Sequence, residues 1–378
     1  MISALAGRTL PTKETARQQS SEGRTTNDNE SKNSTIPGEV FEVGSFRPED
    51  AEGIAALFRA VYGEAYPVRI FYDPRALTKA NSAGTSYSIV ARNSVGKVVG
   101  VVHLVRSAPY EALYELASGL VLREYRKLGL NRRMFKFVFE QWIPQQQGIE
   151  EAWGEPVCNH VTNQKESAEF HFIETALEVA LMPSEAYDKE KSASGRVAAL
   201  SAFRCYRPKP HTVYLPSVYA NELTFLYSPL DDERTILISD QSLPESIESY
   251  ADMTVFDSAG VCRTAVLSMG SDFDSYLGRL ETKALDQKVV VLQTWLNLGY
   301  PQVGAAVNVL RDRGYFLGGL LPRWFGEDGL LMQKIMIDPD FESIQLYSDR
   351  AKQIFAMVQA DWLRTREGQT IANHQPVS

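Results

Sequence analysis

A basic turn between two apolar segments is the stretch of this chain whose residue types most directly suggest chemistry. It carries Arg126, Lys127, Gly129 and Arg132. The segment before it, residues 116–122, is apolar enough to form a buried strand, and the segment after it has the spacing of an amphipathic helix. Because a helix N-terminus presents free N–H groups and partial positive charge, this order predicts a site for a phosphate-bearing ligand. The alternative is a solvated basic loop that only caps a helix.

The periodicity of the chain predicts the elements that would position this turn. Residues 43–204 predict the order β-α-β-β-β-α-β-α-β-β. A passage with three prolines, residues 208–216, leads into a second half. There the order β-β-α-β-α-β-β recurs, and residues 342–363 predict a closing amphipathic helix. We therefore predict an α/β (α+β) fold with two mixed-sheet units in tandem.

The composition narrows the classes of partner. The chain has 378 residues, a formal net charge of -8 and 44% hydrophobic residues. An acidic balance argues against bulk electrostatic binding to nucleic acid or to an anionic membrane, and no apolar run reaches the ~18 residues of a membrane helix. Residues 1–38 are polar and predict a disordered tail. We expect a cytoplasmic protein, and the sequence leaves its oligomeric state open.

Cysteine usage gives no support to metal or redox chemistry. Cys158, Cys205 and Cys262 lie far apart in the chain, which is typical of reduced, buried thiols. Cys158 and His160 are close in sequence, but no further pair completes a zinc set. We therefore predict no metal site.

The basic turn also carries a specific resemblance. Residues 121–131 read VLREYRKLGLN and resemble motif A of the GNAT superfamily of acyl-CoA-dependent N-acyltransferases, V-x-P-x-Y-R-x-x-G-[IL]-[GA]. Arg123 replaces the Pro, and Asn131 replaces the closing Gly or Ala. Asn tolerates unusual turn dihedrals better than most other residues. The matched positions are Val121, Tyr125, Arg126, Gly129 and Leu130.

The resemblance implies that the turn binds the pyrophosphate of acetyl-CoA or of another acyl-CoA. The backbone at Leu120 and Val121 would bind the pantetheine arm and polarise the thioester carbonyl. The amides of residues 127–131 would bind the phosphates, with Arg126 and Arg132 adding positive charge. The residues implied in cofactor binding are Leu120, Val121, Arg126, Lys127, Leu128, Gly129, Leu130, Asn131, Arg132 and Asn163.

The resemblance also implies catalytic residues. Some members use a Glu eleven residues before the R-x-x-G, and that position holds Glu115. Desolvation at an apolar cleft would raise its pKa and suit a base that acts directly or through a water; the alternative is a solvated carboxylate at a strand end. Many relatives use a Tyr as the acid, and this chain has Phe170 there. Its neighbour His171 could serve instead, or be structural.

The resemblance covers nearly half of the chain and implies an activity. We predict a tail over residues 1–38, a GNAT domain over 39–207, a degenerate GNAT-like domain over 208–365 without its own cofactor, and a flexible tail over 366–378. The activity would be transfer of an acyl group to a small-molecule or peptide amine. We expect an acetyl group, with a longer acyl chain as the alternative. The alternative is a degenerate sensor that binds CoA, or a protein-interaction module.

Overall fold

The computed structural model describes residues 40–64, 66, 68–183 and 195–372. The predicted tail over residues 1–38 and the last residues of the predicted C-terminal tail, 373–378, lie outside this part of the chain. Within the described residues, no helix is both long and apolar enough to cross a membrane. The chain divides into two compact units of mixed α/β structure, which we treat separately.

The smaller unit contains described residues 40–103 and 118–134. Helix α1 buries Ile54, Leu57 and Phe58, and the side chain of Asp73 caps helix α2. Strands β1 and β2 pair antiparallel. Three elements, β3, β4 and α3, also contribute residues to the larger unit. The elements are β1 (Glu42–Ser45), α1 (Asp50–Tyr62), α2 (Pro74–Ala83), β2 (Ser86–Arg92), β3 (Val98–Val105), β4 (Leu113–Val121) and α3 (Leu130–Lys136).

The larger unit contains residues 104–117 and the described residues from 135 onward. Its main sheet has the strand order β4-β5-β7-β6-β13-β14-β12-β11-β10. Its further elements are β5 (Glu151–Gly154), α4 (Thr162–Glu169), β6 (Ile173–Met182), β7 (Val197–Cys205), β8 (His211–Pro216), α5 (Ala220–Tyr227), β9 (Arg234–Ser239), β10 (Tyr250–Phe256), β11 (Val261–Ser268), α6 (Phe273–Leu285), β12 (Val291–Asn297), α7 (Val303–Asp312), β13 (Phe316–Leu321), β14 (Gly329–Ile335) and α8 (Asp349–Ala372).

The pairing pattern of this sheet occurs twice. Strand β4 pairs parallel with β5, which pairs antiparallel with β7, and β7 pairs antiparallel with β6. Strands β11, β12, β14 and β13 repeat the same sequence of one parallel and two antiparallel pairs. The two runs meet where β6 pairs with β13. The element order predicted to recur thus has a counterpart in the strand pairing.

The contact between β6 and β13 depends on one glycine. Gly319 has a φ of +134°, and a Cβ atom there would lie 2.4 Å from the carbonyl oxygen of Thr175 and 2.5 Å from the Cα of Ala176. Only a residue without a side chain allows the two backbones to approach so closely.

The core of the larger unit contains three tryptophans. Trp324 packs edge-on against Trp153, at 4.9 Å between ring centroids, and against Trp295, at 4.7 Å. Leu113 and Leu331 are fully buried in the same cluster. This core therefore contains residues from both sides of the predicted boundary at residue 207, and that boundary stays a prediction.

Two predicted segments differ from the structure. Residues 208–216, predicted as a passage between halves, contain strand β8, which pairs parallel with β9. Pro216 ends this strand, a position where the missing N–H is tolerated. Helix α8 continues to Ala372, past residue 366, where we predicted a flexible tail to begin.

Candidate functional site

The basic turn has the backbone geometry expected of an anion-binding loop. Lys127 and Gly129 both have a φ of +70°, and residues 126–129 are exposed. Residues of left-handed conformation in a turn point successive N–H groups toward one concave side. A Cβ atom at Gly129 would meet nothing within 4 Å, so this side of the turn is open. The turn can therefore present backbone donors to a ligand.

Packing of β4 and α3 against β3 positions this turn. Leu130 and Met134 of α3 are buried, and Gly100 of β3 lies close to both Met134 and the carbonyl oxygen of Leu120. Asn131 lies in the first turn of α3. Its φ is not positive, although an asparagine can adopt the left-handed conformation. Lys127 has that conformation instead.

The cations around the turn have different environments. Arg126 is exposed, and its Nε donates to the carbonyl oxygen of Val121 at 3.3 Å. Arg133 donates to the carbonyl oxygen of Phe41 at 2.8 Å, a structural contact. Lys127 and Arg132 are exposed. The turn thus combines backbone donors with exposed positive charge. However, Arg126 already donates to the carbonyl oxygen of Val121, which the resemblance assigns to the pantetheine arm.

The other residues implied in cofactor binding lie in both units. Leu120 is buried, Val121 is half-buried and Leu128 is exposed. These residues, with those of the turn, all lie in the smaller unit. Asn163 lies in the larger unit, where it is the second residue of α4 and is exposed.

Glu115 lies inside the larger unit, and its side chain is fully buried. Burial raises the pKa of its carboxyl group, with Glu155 acting in the same direction, whereas a hydrogen bond with Ser107 lowers it. Trp153 lies opposite it on β5. A carboxyl group with a raised pKa suits proton transfer near neutral pH. The alternative prediction of a solvated carboxylate is wrong.

A buried arginine stands at the centre of this region. Arg263 of β11 donates through Nη2 to Glu155 at 2.6 Å and to Glu178 at 2.7 Å, and through Nε to Gln293 at 2.7 Å. Ser201 and Gln293 both donate to Glu178, at 2.8 Å. These hydrogen bonds compensate for the burial of charge.

His171 lies apart from this network. It is exposed, has a φ of +60°, and lines a cavity of about 220 Å³ whose lining also includes Glu151 and Asp232. Glu115 is not among the residues that line this cavity in the described part of the chain. The structure therefore does not place the two predicted catalytic residues in one cluster.

Phe170, at the position where the resemblance implies a Tyr, belongs to an aromatic cluster. Its ring centroid lies 5.5 Å from that of Phe139 and 6.0 Å from that of Phe135, and the residue is buried. This position contributes packing and carries no acid.

The turn between β11 and α6 is the counterpart of the basic turn in the repeated pairing pattern. A Cβ atom at Gly270 would lie 1.7 Å from the carbonyl oxygen of Ile247. The N–H of Gly270 donates to the Ser249 hydroxyl, and that of Ser271 to the carbonyl oxygen of Pro244, both at 2.9 Å. The chain itself covers this turn and uses its donors.

The charged network of Glu155, Glu178 and Arg263 was not predicted from the sequence. Glu155 follows β5 directly, a position where a polar side chain can be noticed from sequence. Glu178 and Arg263 lie inside strands that read as apolar runs. A charge within such a run is a signal of a buried pair, but the sequence does not identify the partner.

Known proteins resemble this chain in structure and not in sequence. No protein-family model matches the chain, and no curated protein sequence does. Among solved structures, a mutant form of the spermidine/spermine N-acetyltransferase SpeG from Vibrio cholerae is 13% identical, with a TM-score of 0.34, over 44% of this chain and 95% of that one. The ribosomal-protein-S18-alanine N-acetyltransferase from Escherichia coli is 13% identical, with a TM-score of 0.35, over 45% and 96%. An acetyltransferase assigned to the GNAT family from Desulfovibrio desulfuricans is 12% identical, with a TM-score of 0.35, over 44% and 99%.

Proposed function

We propose that this chain is an acyl-CoA-dependent N-acyltransferase that moves an acetyl group from acetyl-CoA to a small-molecule or peptide amine. The observation that carries the proposal is the basic turn: it matches the GNAT motif in sequence, lies between β4 and α3, and has left-handed dihedrals at Lys127 and Gly129. This combination supports recognition of a pyrophosphate by backbone N–H groups and nearby cations.

In this proposal the residues of the turn have distinct tasks. The amides of residues 127–131 bind the pyrophosphate, and Arg126 and Arg132 supply positive charge. The backbone at Leu120 and Val121 orients the pantetheine arm, and Asn163 adds a polar contact. Exposure of the turn and the open space at Gly129 support the assignment of the phosphates to the turn. The tasks of Leu120, Val121 and Asn163 rest on the resemblance alone.

Glu115 is proposed as the base that deprotonates the amine, directly or through a water. Its burial and its raised pKa support this role. The change Glu115→Gln would then lower kcat by about 10²–10⁴-fold, the usual contribution of a general base, and leave the KM for acetyl-CoA unchanged. An unchanged kcat would remove Glu115 from the mechanism. His171 stays a candidate acid, and His171→Ala tests it in the same assay.

We also propose that residues 208–365 form a degenerate GNAT-like domain. The repeated pairing pattern of β11, β12, β14 and β13 supports a duplicated fold. The covered turn at Gly270 supports the expectation that this half binds no acyl-CoA.

The cofactor site is tested by comparing two glycines in isothermal titration with acetyl-CoA. Gly129 and Gly96 both have positive φ and open space where a side chain would lie, and both belong to the smaller unit. Replacing either by Asp imposes a similar backbone cost of about 1–2 kcal/mol. Gly129→Asp places a negative charge on the phosphate path and should weaken acetyl-CoA binding at least about tenfold, or 1.4 kcal/mol. Gly96→Asp should bind as the wild type does. Equal affinities in the two variants would rule out this turn as the site.

A CoA-binding sensor without turnover is the second candidate function. The observation that favours it is Phe170, a buried aromatic residue at the position of the family's acid. Measuring CoA release across a panel of amines separates the two functions. Turnover of any amine supports the transferase, and binding of acetyl-CoA without release of CoA on every amine supports the sensor.

A further inference from the structure

A cavity of about 220 Å³ in the larger unit gathers side chains that the proposed acyl transfer does not use. Glu151 begins β5 and Cys205 ends β7, and the two residues are direct partners in the antiparallel pair. Their side chains therefore extend from the same face of the sheet. Asp232, just before β9, lines the same cavity, as does the exposed His171.

Three of these residues have ligand atoms at a spacing that suits a metal ion. We call them the Glu151 cluster: Glu151, Cys205 and Asp232. A carboxylate oxygen of Glu151, the Sγ of Cys205 and a carboxylate oxygen of Asp232 all lie within 4.8 Å of one another. The Cys205 Sγ lies 3.6 Å from Asp232 Oδ1. Small movements of these side chains would suffice to bring all three atoms onto one ion.

An unpartnered oxygen points independently to a bound cation. Glu151 is only 2% exposed, and its Oε2 has no hydrogen-bond partner among the described residues. A buried carboxylate oxygen without a partner is costly, and most such groups in proteins are satisfied. By contrast, Asp232 accepts from the backbone N–H of Lys209 at 2.9 Å and from Arg234 at 3.0 Å.

The cavity lining carries charges of both signs, with Arg204 and Arg234 beside Glu151, Asp231 and Asp232. Burial, followed by the charges of Asp232 and Asp328, raises the pKa of the Glu151 carboxyl group, while Arg234 and Arg323 act in the opposite direction. Burial also raises the pKa of the Cys205 thiol, followed by the effect of Glu151. A cysteine thiol is ordinarily protonated at neutral pH, and coordination to a metal ion would displace that proton.

A neighbouring set, His211, Asp232 and Asp328, is a weaker candidate. Asp328 accepts from Nε of Arg234 at 2.6 Å and from the backbone N–H of Arg323 at 2.8 Å, and it lies 3.2 Å from Nε2 of His211. Asp232 belongs to both sets and its oxygens also have donors, so the feature that distinguishes the Glu151 cluster is the carboxylate oxygen of Glu151 that has no partner in the described part of the chain.

We propose that the Glu151 cluster binds one divalent transition-metal ion of the zinc class. A thiolate with two carboxylates suits Zn²⁺ and excludes the hard cations Mg²⁺ and Ca²⁺, which take oxygen ligands alone. His171 lines the same cavity, so its imidazole or a water is the candidate for a fourth ligand. The three ligands are spread over residues 151–232, so no short motif announces the site in the sequence.

Titration of the purified, chelator-treated chain with Co²⁺ tests this site. The wild type should bind one equivalent and develop a near-ultraviolet thiolate-to-cobalt charge-transfer band, which Zn²⁺ then abolishes by displacement. Cys205→Ser should lose the band, and Glu151→Gln should weaken binding at least about tenfold. Cys158→Ser alters another buried thiol and should behave as the wild type.

Two results of the titration would contradict the proposal. Absence of a thiolate band in the wild type would exclude Cys205 as a ligand whatever the variants do. A band that persists in Cys205→Ser and disappears in Cys158→Ser would place the site elsewhere. A second measurement follows proton release in weak buffer: Zn²⁺ should release protons from the wild type at neutral pH, and no release would contradict thiol coordination.

Discussion

A buried histidine in the smaller unit should make the protein sensitive to mild acid. His103 of β3 is fully buried and lies against Phe71, at 4.2 Å between ring centroids. Its Nδ1 lies 3.0 Å from the Ser88 hydroxyl. Burial lowers the pKa of this imidazole to about 3. The native state therefore keeps His103 neutral at pH values where the unfolded chain protonates it.

The size of the effect follows from the two pKa values. The unfolded imidazole titrates near 6.5, so below that pH the unfolded state binds one more proton than the native state, and the free energy of unfolding falls on acidification. Each pH unit costs about 1.4 kcal/mol, and the roughly 1.5 units between 6.5 and 5 therefore remove about 2 kcal/mol. The loss continues until the pH nears the folded pKa of about 3.

Urea denaturation at pH 7 and pH 5 measures this loss. The variant His103→Asn cannot titrate, so the stability difference between wild type and variant should shrink by about 2 kcal/mol on acidification. Phe71→Leu loosens the same pocket and keeps the imidazole, so it should retain most of the wild-type pH dependence. If the wild type and His103→Asn lost stability in parallel, the imidazole would not be neutral in the native state.

Three further changes test other parts of the structure. Arg263→Met leaves buried carboxylates without their cation and should lower the free energy of unfolding by about 3–5 kcal/mol. Lys352→Met removes an exposed ion pair and should lower it by less than about 1 kcal/mol. Similar losses for the two variants in urea denaturation would contradict the role of Arg263. Gly319→Ala drives a Cβ into the backbone at Thr175 and should cost about 1–3 kcal/mol, so a variant as stable as the wild type would refute the close approach of β6 and β13. Lys127→Asn keeps a residue that tolerates the left-handed dihedral and removes a positive charge. The variant should be as stable as the wild type, bind acetyl-CoA more weakly and show a smaller salt dependence of that binding. An unchanged salt dependence would show that Lys127 does not contact the ligand.

The basic turn could be predicted because its signals are local. Residues 116–122 read as a buried strand, and the apolar spacing of Leu130, Met134 and Val138 reads as one helix face; all three side chains are buried. Gly129 has the positive φ that a glycine at a tight turn suggests. A strand, a turn and a helix that follow one another need no distant partner to be recognised.

Other features could not be predicted because they depend on distant pairings. Strand β8 was missed since prolines usually mark loops, and its pairing with β9 is visible only in three dimensions. The contact of Arg263 with Glu178 requires the fold that brings β11 and β6 together. The burial of Glu115 in a charged network likewise follows from residues far along the chain.

The direct test of the proposed function is isothermal titration of the wild-type chain with acetyl-CoA. The basic turn predicts binding at a single site, with an affinity that falls as salt is added because phosphate contacts are screened. An absence of binding heat at millimolar acetyl-CoA across several temperatures would contradict the acyl-CoA site, and with it the proposed acyl transfer.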